Sequence, residues 1–148
     1  YNFNQNIILN NKIIYLKFDY SFDSIIQIQN LLYNIDELNE SNEFKNLPES
    51  LEYIFFGDKF NKQIKLNNKL NELIFGHHFN CSIVLNEELK KLRFGFNFNQ
   101  PIELNEKLES LIFDGIFNQP IELNENLLYL MFEDNFNHPL ELNNKLIH

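Results

Sequence analysis

Phe98-Asn99-Gln100-Pro101-Ile102-Glu103-Leu104-Asn105-Glu106-Lys107-Leu108-Glu109-Ser110-Leu111-Ile112-Phe113 is followed, after a three-residue gap, by Phe117-Asn118-Gln119-Pro120-Ile121-Glu122-Leu123. The same motif begins again 19 positions on. The Phe-Asn pair recurs at that interval as Phe60-Asn61, Phe79-Asn80, Phe98-Asn99, Phe117-Asn118 and Phe136-Asn137. Counting backwards by 19 reaches Ser41-Asn42, Phe22-Asp23 and Phe3-Asn4, so eight copies tile the chain, starting at residues 3, 22, 41, 60, 79, 98, 117 and 136. A fixed period of this kind marks an array in which one unit cannot bury its apolar residues alone but stacked neighbours can.

Numbered from its Phe, each copy carries an aliphatic residue at positions 7 and 11, and the seven copies that reach position 14 carry one there too, for example Leu104, Leu108 and Leu111. Position 5 is aliphatic except at Lys45, and position 16 is Phe except at Glu37. Leu111 and Phe113 lie two apart, which puts both on one face of a strand, and Pro120-Ile121-Glu122-Leu123 alternates in the same way. Each copy therefore reads as two short extended pieces joined by turns. Pro101, Pro120 and Pro139 at position 4 oppose a helix there. Position 2 holds Asn or Asp in every copy, and such side chains satisfy backbone groups that tight turns leave unpaired. An asparagine ladder is expected in preference to a ligand site, because a turn must recur in every coil and a site need not.

The chain has 148 residues and a mass of 17.8 kDa, which suits one domain or one array rather than two domains. With 44% hydrophobic residues, it has no apolar run near the roughly 20 residues a membrane helix needs, so no membrane partner is expected. A formal charge of −9 leaves no phosphate-neutralising stripe of Lys and Arg, and nucleic acid is not an expected partner. The single Cys excludes an internal disulfide and fits a reducing compartment such as the cytosol. Ala, Thr and Trp are missing, while 26 Asn and 16 Phe occur, a bias that points to a repeated template or codon-level pressure.

The element Phe98-Asn99-Gln100-Pro101-Ile102, repeated at Phe117 to Ile121 and followed by Leu-x-x-Leu-x-Phe and often Gly (Gly57, Gly76, Gly95), resembles the FNIP repeat family, relatives of leucine-rich repeats. The resemblance runs from Phe3 to the end of the chain, with copies a few residues shorter than the usual unit. It implies a mainly β, right-handed solenoid of leucine-rich-repeat type with little helix. It also implies a source among amoebae or their giant DNA viruses, with the host cytoplasm or virion as location. Some family members carry an F-box that recruits ubiquitin-ligase machinery, although no F-box is visible in these residues.

Copy two departs most. Glu37 replaces the interior Phe, and Ile25, Ile28, Leu32, Ile35 and Leu38 also suit an amphipathic helix, with Ser24 and Gln27 resembling a capping box. The intact flanking register favours a strand coil, with a short helix within 24–39 as the alternative. In copy three, Phe44 is expected to turn inward in place of Lys45. The chain reads as a fragment of a longer one, whose open coils could self-associate end to end.

No catalytic or cofactor motif is present, and no enzyme activity is expected. The cluster His77-His78-Phe79-Asn80-Cys81, with Asp58 one coil earlier, lacks the three or four convergent ligands of a metal site. Glu103, Glu122 and Glu141 at position 6, with Glu87, Glu106 and Glu125 at position 9, read as a solvated face rather than as a glycosidase pair. Because side chains alternate, positions 13, 15 and 17 should point outward beside inward-facing 14 and 16. The residues Tyr53, Phe55, Ile74, Arg93, Ile112, Tyr129 and Met131 then form an apolar strip of the composition found in interface cores. These seven are the expected contact surface for a protein partner. The competing function is a structural role as a virion or filament subunit.

Overall fold

The structure, a computed structural model, describes residues 7–9, 12–17, 26–28, 43–44 and 47–147. Among these residues, ten short strands follow in order: β1 (Ile7–Leu9), β2 (Tyr15–Lys17), β3 (Ile26–Ile28), β4 (Glu43–Phe44), β5 (Tyr53–Phe55), β6 (Gln63–Ile64), β7 (Glu72–Ile74), β8 (Lys91–Phe94), β9 (Ser110–Phe113) and β10 (Tyr129–Met131). Strands β10, β9, β8, β7, β5 and β2 pair in that order into one parallel sheet. Leu130, Leu111, Leu92, Leu73 and Ile54 stand opposite one another along it, each 19 residues from the next. The chain is thus a β-solenoid in which identical positions of successive copies sit side by side. No helix among the described residues is long and apolar enough to cross a membrane.

The period breaks where the sequence departs from its template. Leu16 pairs with Ile54 at an interval of 38 residues, twice the period, so β2 and β5 are direct neighbours in the sheet. Glu37, where the buried Phe belongs, lies outside the described residues. Ile26 pairs with Ile7 at the regular 19, so the span proposed as an alternative helix contains extended backbone at 26–28; the rest of 24–39 lies outside the described residues. Phe44 stands opposite Ile64 at an interval of 20, a one-residue shift that puts it, and not Lys45, at the aliphatic position 5.

The two extended pieces expected in each copy are not uniform. Strands at the first piece occur at β1, β3, β4 and β6, and none forms there between Phe79 and Ile147. In three of those later copies Pro101, Pro120 or Pro139 removes a backbone donor just where the ladder would start.

Ile54, Leu73, Leu92 and Leu111 at position 14 are fully buried, as are Leu51, Leu70, Leu89, Leu108 and Leu127 at position 11. The aromatic rings form one interleaved column rather than two separate stacks. The ring at position 16 lies face to face on the position-1 ring of the next copy, as in Phe75–Phe79 and Phe94–Phe98 at 3.6 Å and Phe113–Phe117 at 3.8 Å. Equivalent rings of successive copies follow at 5.5 Å for Phe75–Phe94 and 6.0 Å for Phe79–Phe98.

The tight reversal between these paired rings corrects the expectation that position 17 points outward. Gly76 and Gly95 occupy it, buried, and a Cβ on Gly95 would fall on the carbonyl of Gly76. Strand alternation stops there because the chain turns and its backbone lies directly on the copy before. Gly115, at φ 148°, makes the same approach to Phe96 in a backbone conformation that side chains disfavour.

Phe94→Ala and Phe113→Ala should each cost about 3–5 kcal/mol in denaturant unfolding, as deletions of buried rings do. A loss below about 1 kcal/mol at both would mean that the rings do not form the core.

Candidate functional site

Strand alternation turns two rows of side chains outward from the six-stranded sheet. One row places Tyr15, Tyr53, Glu72, Lys91, Ser110 and Tyr129 side by side, and the other Lys17, Phe55, Ile74, Arg93, Ile112 and Met131. All seven residues singled out in the sequence lie in these two rows. Arg93 is exposed, and the other six are half-buried by their neighbours. Tyr15 stacks on Tyr53 with ring centroids 4.4 Å apart, and Lys17 Nζ lies 5.1 Å from the centre of the Phe55 ring. Burial, followed by the proximity of Tyr15 and Glu72, pushes the Tyr53 hydroxyl above its ordinary pKa, so it stays neutral. Arg93 Nε donates to Asp114 Oδ2 at 2.6 Å, and Lys91 pairs with Glu72 at 3.6 Å. These pairs are largely exposed and hold side-chain positions more than they stabilise the fold.

Two further apolar residues that strand alternation did not single out are exposed beyond the strands. Phe96 and Ile116, in the reversal, are 49% and 38% exposed and joined by a bond from Ile116 N–H to the Phe96 carbonyl at 3.0 Å. Beside Phe96 is an open hollow of about 320 Å³ bounded by Asp58, His77, His78 and Asn97. His77 Nδ1 lies 3.0 Å from Asp58 Oδ1, while the His78 ring contacts the Asp58 backbone carbonyl at 2.8 Å. Cys81 points elsewhere, its thiol 3.3 Å from Asn61 Oδ1. Burial pushes that thiol above its ordinary pKa and keeps it protonated, a poor nucleophile and metal ligand. Among the described residues no three His, Cys, Asp or Glu side chains converge.

Two asparagine columns brace the turns. At position 2, the Oδ1 atoms of Asn61, Asn80, Asn99 and Asn118 each accept the backbone N–H of the next copy's position 2 at 2.9 Å. This column is largely exposed, so the backbone N–H groups that Asn99 and Asn118 accept are also within reach of water. The buried column is at position 8. Asn86 Nδ2 donates to the carbonyls of Asn67 at 2.6 Å and Leu70 at 2.8 Å, and Asn105, Asn124 and Asn143 repeat the pattern one copy on. At Asn67 the Oδ1 also accepts the N–H groups of Lys69 and Leu70, whereas the buried Oδ1 atoms of Asn86 and Asn105 have no partner. The signal was present as Leu-Asn pairs, Leu66-Asn67 through Leu142-Asn143, at the same interval of 19.

Glu103, Glu122 and Glu141 at position 6 and Glu87, Glu106 and Glu125 at position 9 are all exposed. At the N-terminal ends of β8, β9 and β10, an open hollow of about 370 Å³ is lined by Lys90, Lys107, Lys145, Glu109, Asn126 and Leu128.

No family model and no curated protein matches the chain. A solved structure does, that of the giant-virus protein CroV588, described as a novel circular LRR protein. The two are 34% identical over 99% of this chain, with a TM-score of 0.72. The chain is a leucine-rich-repeat-like solenoid. It spans 22% of the length of CroV588. A leucine-rich-repeat-like solenoid offers a long, rigid sheet face and generally suits protein–protein interaction.

Asn86→Ala, which strands two buried carbonyls, should lower stability by about 1–3 kcal/mol, against less than about 1 kcal/mol for the exposed Asn118→Ala. Equal losses in paired urea melts would show that the exposed column supports the turns as much as the buried one.

Proposed function

We propose that the chain is a protein-interaction module that seats a partner on the outer face of its sheet, with contacts from Tyr53, Phe55, Ile74, Arg93, Ile112, Tyr129 and Met131. The observation that carries this reading is the pair of outward rows, in one of which Phe55 and Ile74 stand on one side of Arg93 and Ile112 and Met131 on the other. On a chain of net charge −9, a strip of this kind is the part of the surface most favourably removed from water. The resemblance to FNIP repeats supports a finer reading, a substrate-recruiting part of an F-box-type protein of an amoeba or its virus, working in the host cytoplasm or virion.

A photo-crosslinking residue at Ile112 should capture a partner from the native cell, while one at Glu122, outside the strands, should not. The purified partner should then lose binding to the double variant Arg93→Glu, Ile112→Asp while the fold, followed by circular dichroism, remains. Capture at Glu122 alone, or unchanged binding by the double variant, would refute the sheet face.

A further inference from the structure

We infer that the partner presents an acidic extended segment, whose carboxylate seats in the hollow lined by Lys90, Lys107 and Lys145 while its apolar side chains lie on Ile112 and Met131. This rests on the sheet-face reading and names the chemistry of the occupant. From Phe79 onward the chain has five cations, Lys90, Lys91, Arg93, Lys107 and Lys145, and all five sit at positions 10 to 15, on the sheet or its entry edge. The same copies carry eleven carboxylates, six at positions 6 and 9 and five, Glu88, Glu109, Asp114, Glu133 and Asp134, at positions 10, 12, 17 and 18. Four of the five cations face a carboxylate, and Lys145 does not, so the one unmatched positive charge of the five on a strongly negative molecule lies at the entry edge of the sheet, where an acidic segment is favoured.

Within the hollow, neutralisation is incomplete. Lys90 faces Glu109 at 3.6 Å, and Lys107 meets Glu88 at 2.5 Å. Lys145 donates to the neutral Asn126 Oδ1 at 2.7 Å. Three ammonium groups against two carboxylates leave one positive charge in excess, beside the apolar wall of Leu128. The hollow opens at position 12, and the apolar row lies at position 15, about 10 Å along the strand, the span of three extended residues. One short segment with an acidic and an aliphatic residue reaches both.

The test uses fluorescence polarisation of the intact chain with a labelled peptide of repeated Glu-Ser-Leu units and a length-matched Lys-Ser-Leu control. The acidic peptide should bind and the basic one should not, and binding should weaken as salt screens the lysines. Lys107→Glu with Lys145→Glu should weaken it about tenfold, and Lys145→Gln by less, since exposed charges are individually modest. Equal binding of both peptides, or of neither, overturns the inference. Acidic-peptide binding that survives the double lysine variant overturns it too, and Ile112→Asp then separates the two levels. Loss in Ile112→Asp keeps the sheet face without the lysine anchor, and no loss removes both.

Discussion

Face-to-face contact between the ring at position 16 and the ring at position 1 of the next copy is what the rest of the molecule depends on. It spans only three residues of backbone, so it forces the chain to reverse at positions 17 to 19 and holds the reversal shut from inside. Within the pair the centroids are 3.6 to 4.0 Å apart. Rings of this size bury about 150–250 Å² each, and ten of them in one column dominate the apolar surface removed from water. The spacing also carries shape. If successive copies were related by translation alone, every equivalent pair of atoms would advance by the strand separation of about 4.8 Å. Phe79 to Phe98 advances 6.0 Å, so each copy is also rotated, with the sheet nearer the axis than the rings.

Stacking copies this closely leaves little room for error in polar groups. The carbonyls of Asn67 and Leu70 face the interior and lie beyond reach of water, and the amide of Asn86 satisfies both. A shorter side chain that lacked the amide would leave both buried carbonyls unpaired. The position-2 column, in contrast, lies at the surface, where water competes for the same N–H groups. Two columns of one residue type, both strictly periodic, therefore differ in what they contribute, and burial alone separates them.

That difference marks the limit of what the sequence disclosed. Period, strand location and inward-facing positions followed from the spacing of Leu108, Leu111 and Phe113, because alternation in a strand is a property of the backbone. The outward rows followed from the same alternation. Position 17 was misread because alternation says nothing about where a strand ends, and the close approach of Gly95 to Gly76 depends on a neighbouring copy. The position-8 column was passed over because Asn after Leu looks like a loop residue until a carbonyl 19 residues earlier is placed beside it. Phe96 and Ile116 escaped notice for a related reason: alternation ends with the strand and does not say which side chains of the reversal are exposed.

The interior leaves the outer face free to vary, so what stands there answers to something other than the fold. Positions 13 and 15 must only suit a pleated surface, a requirement that Tyr, Ile, Lys and Arg all meet. Positions 6 and 9 must only be solvated. Lys65 occupies position 6, exposed, in the copy that starts at Phe60, so that position accepts a cation without disturbing the coil. The confinement of every later Lys and Arg to the sheet side is therefore not a condition of folding. Self-repulsion among stacked glutamates would be relieved by a lysine at position 6 in place of Glu122, as Lys65 stands in an earlier copy, yet Glu103, Glu122 and Glu141 hold that position in succession. An arrangement that forgoes an available stabilisation on one face and sets its cations beside apolar side chains on the other is therefore not explained by the packing of the coils.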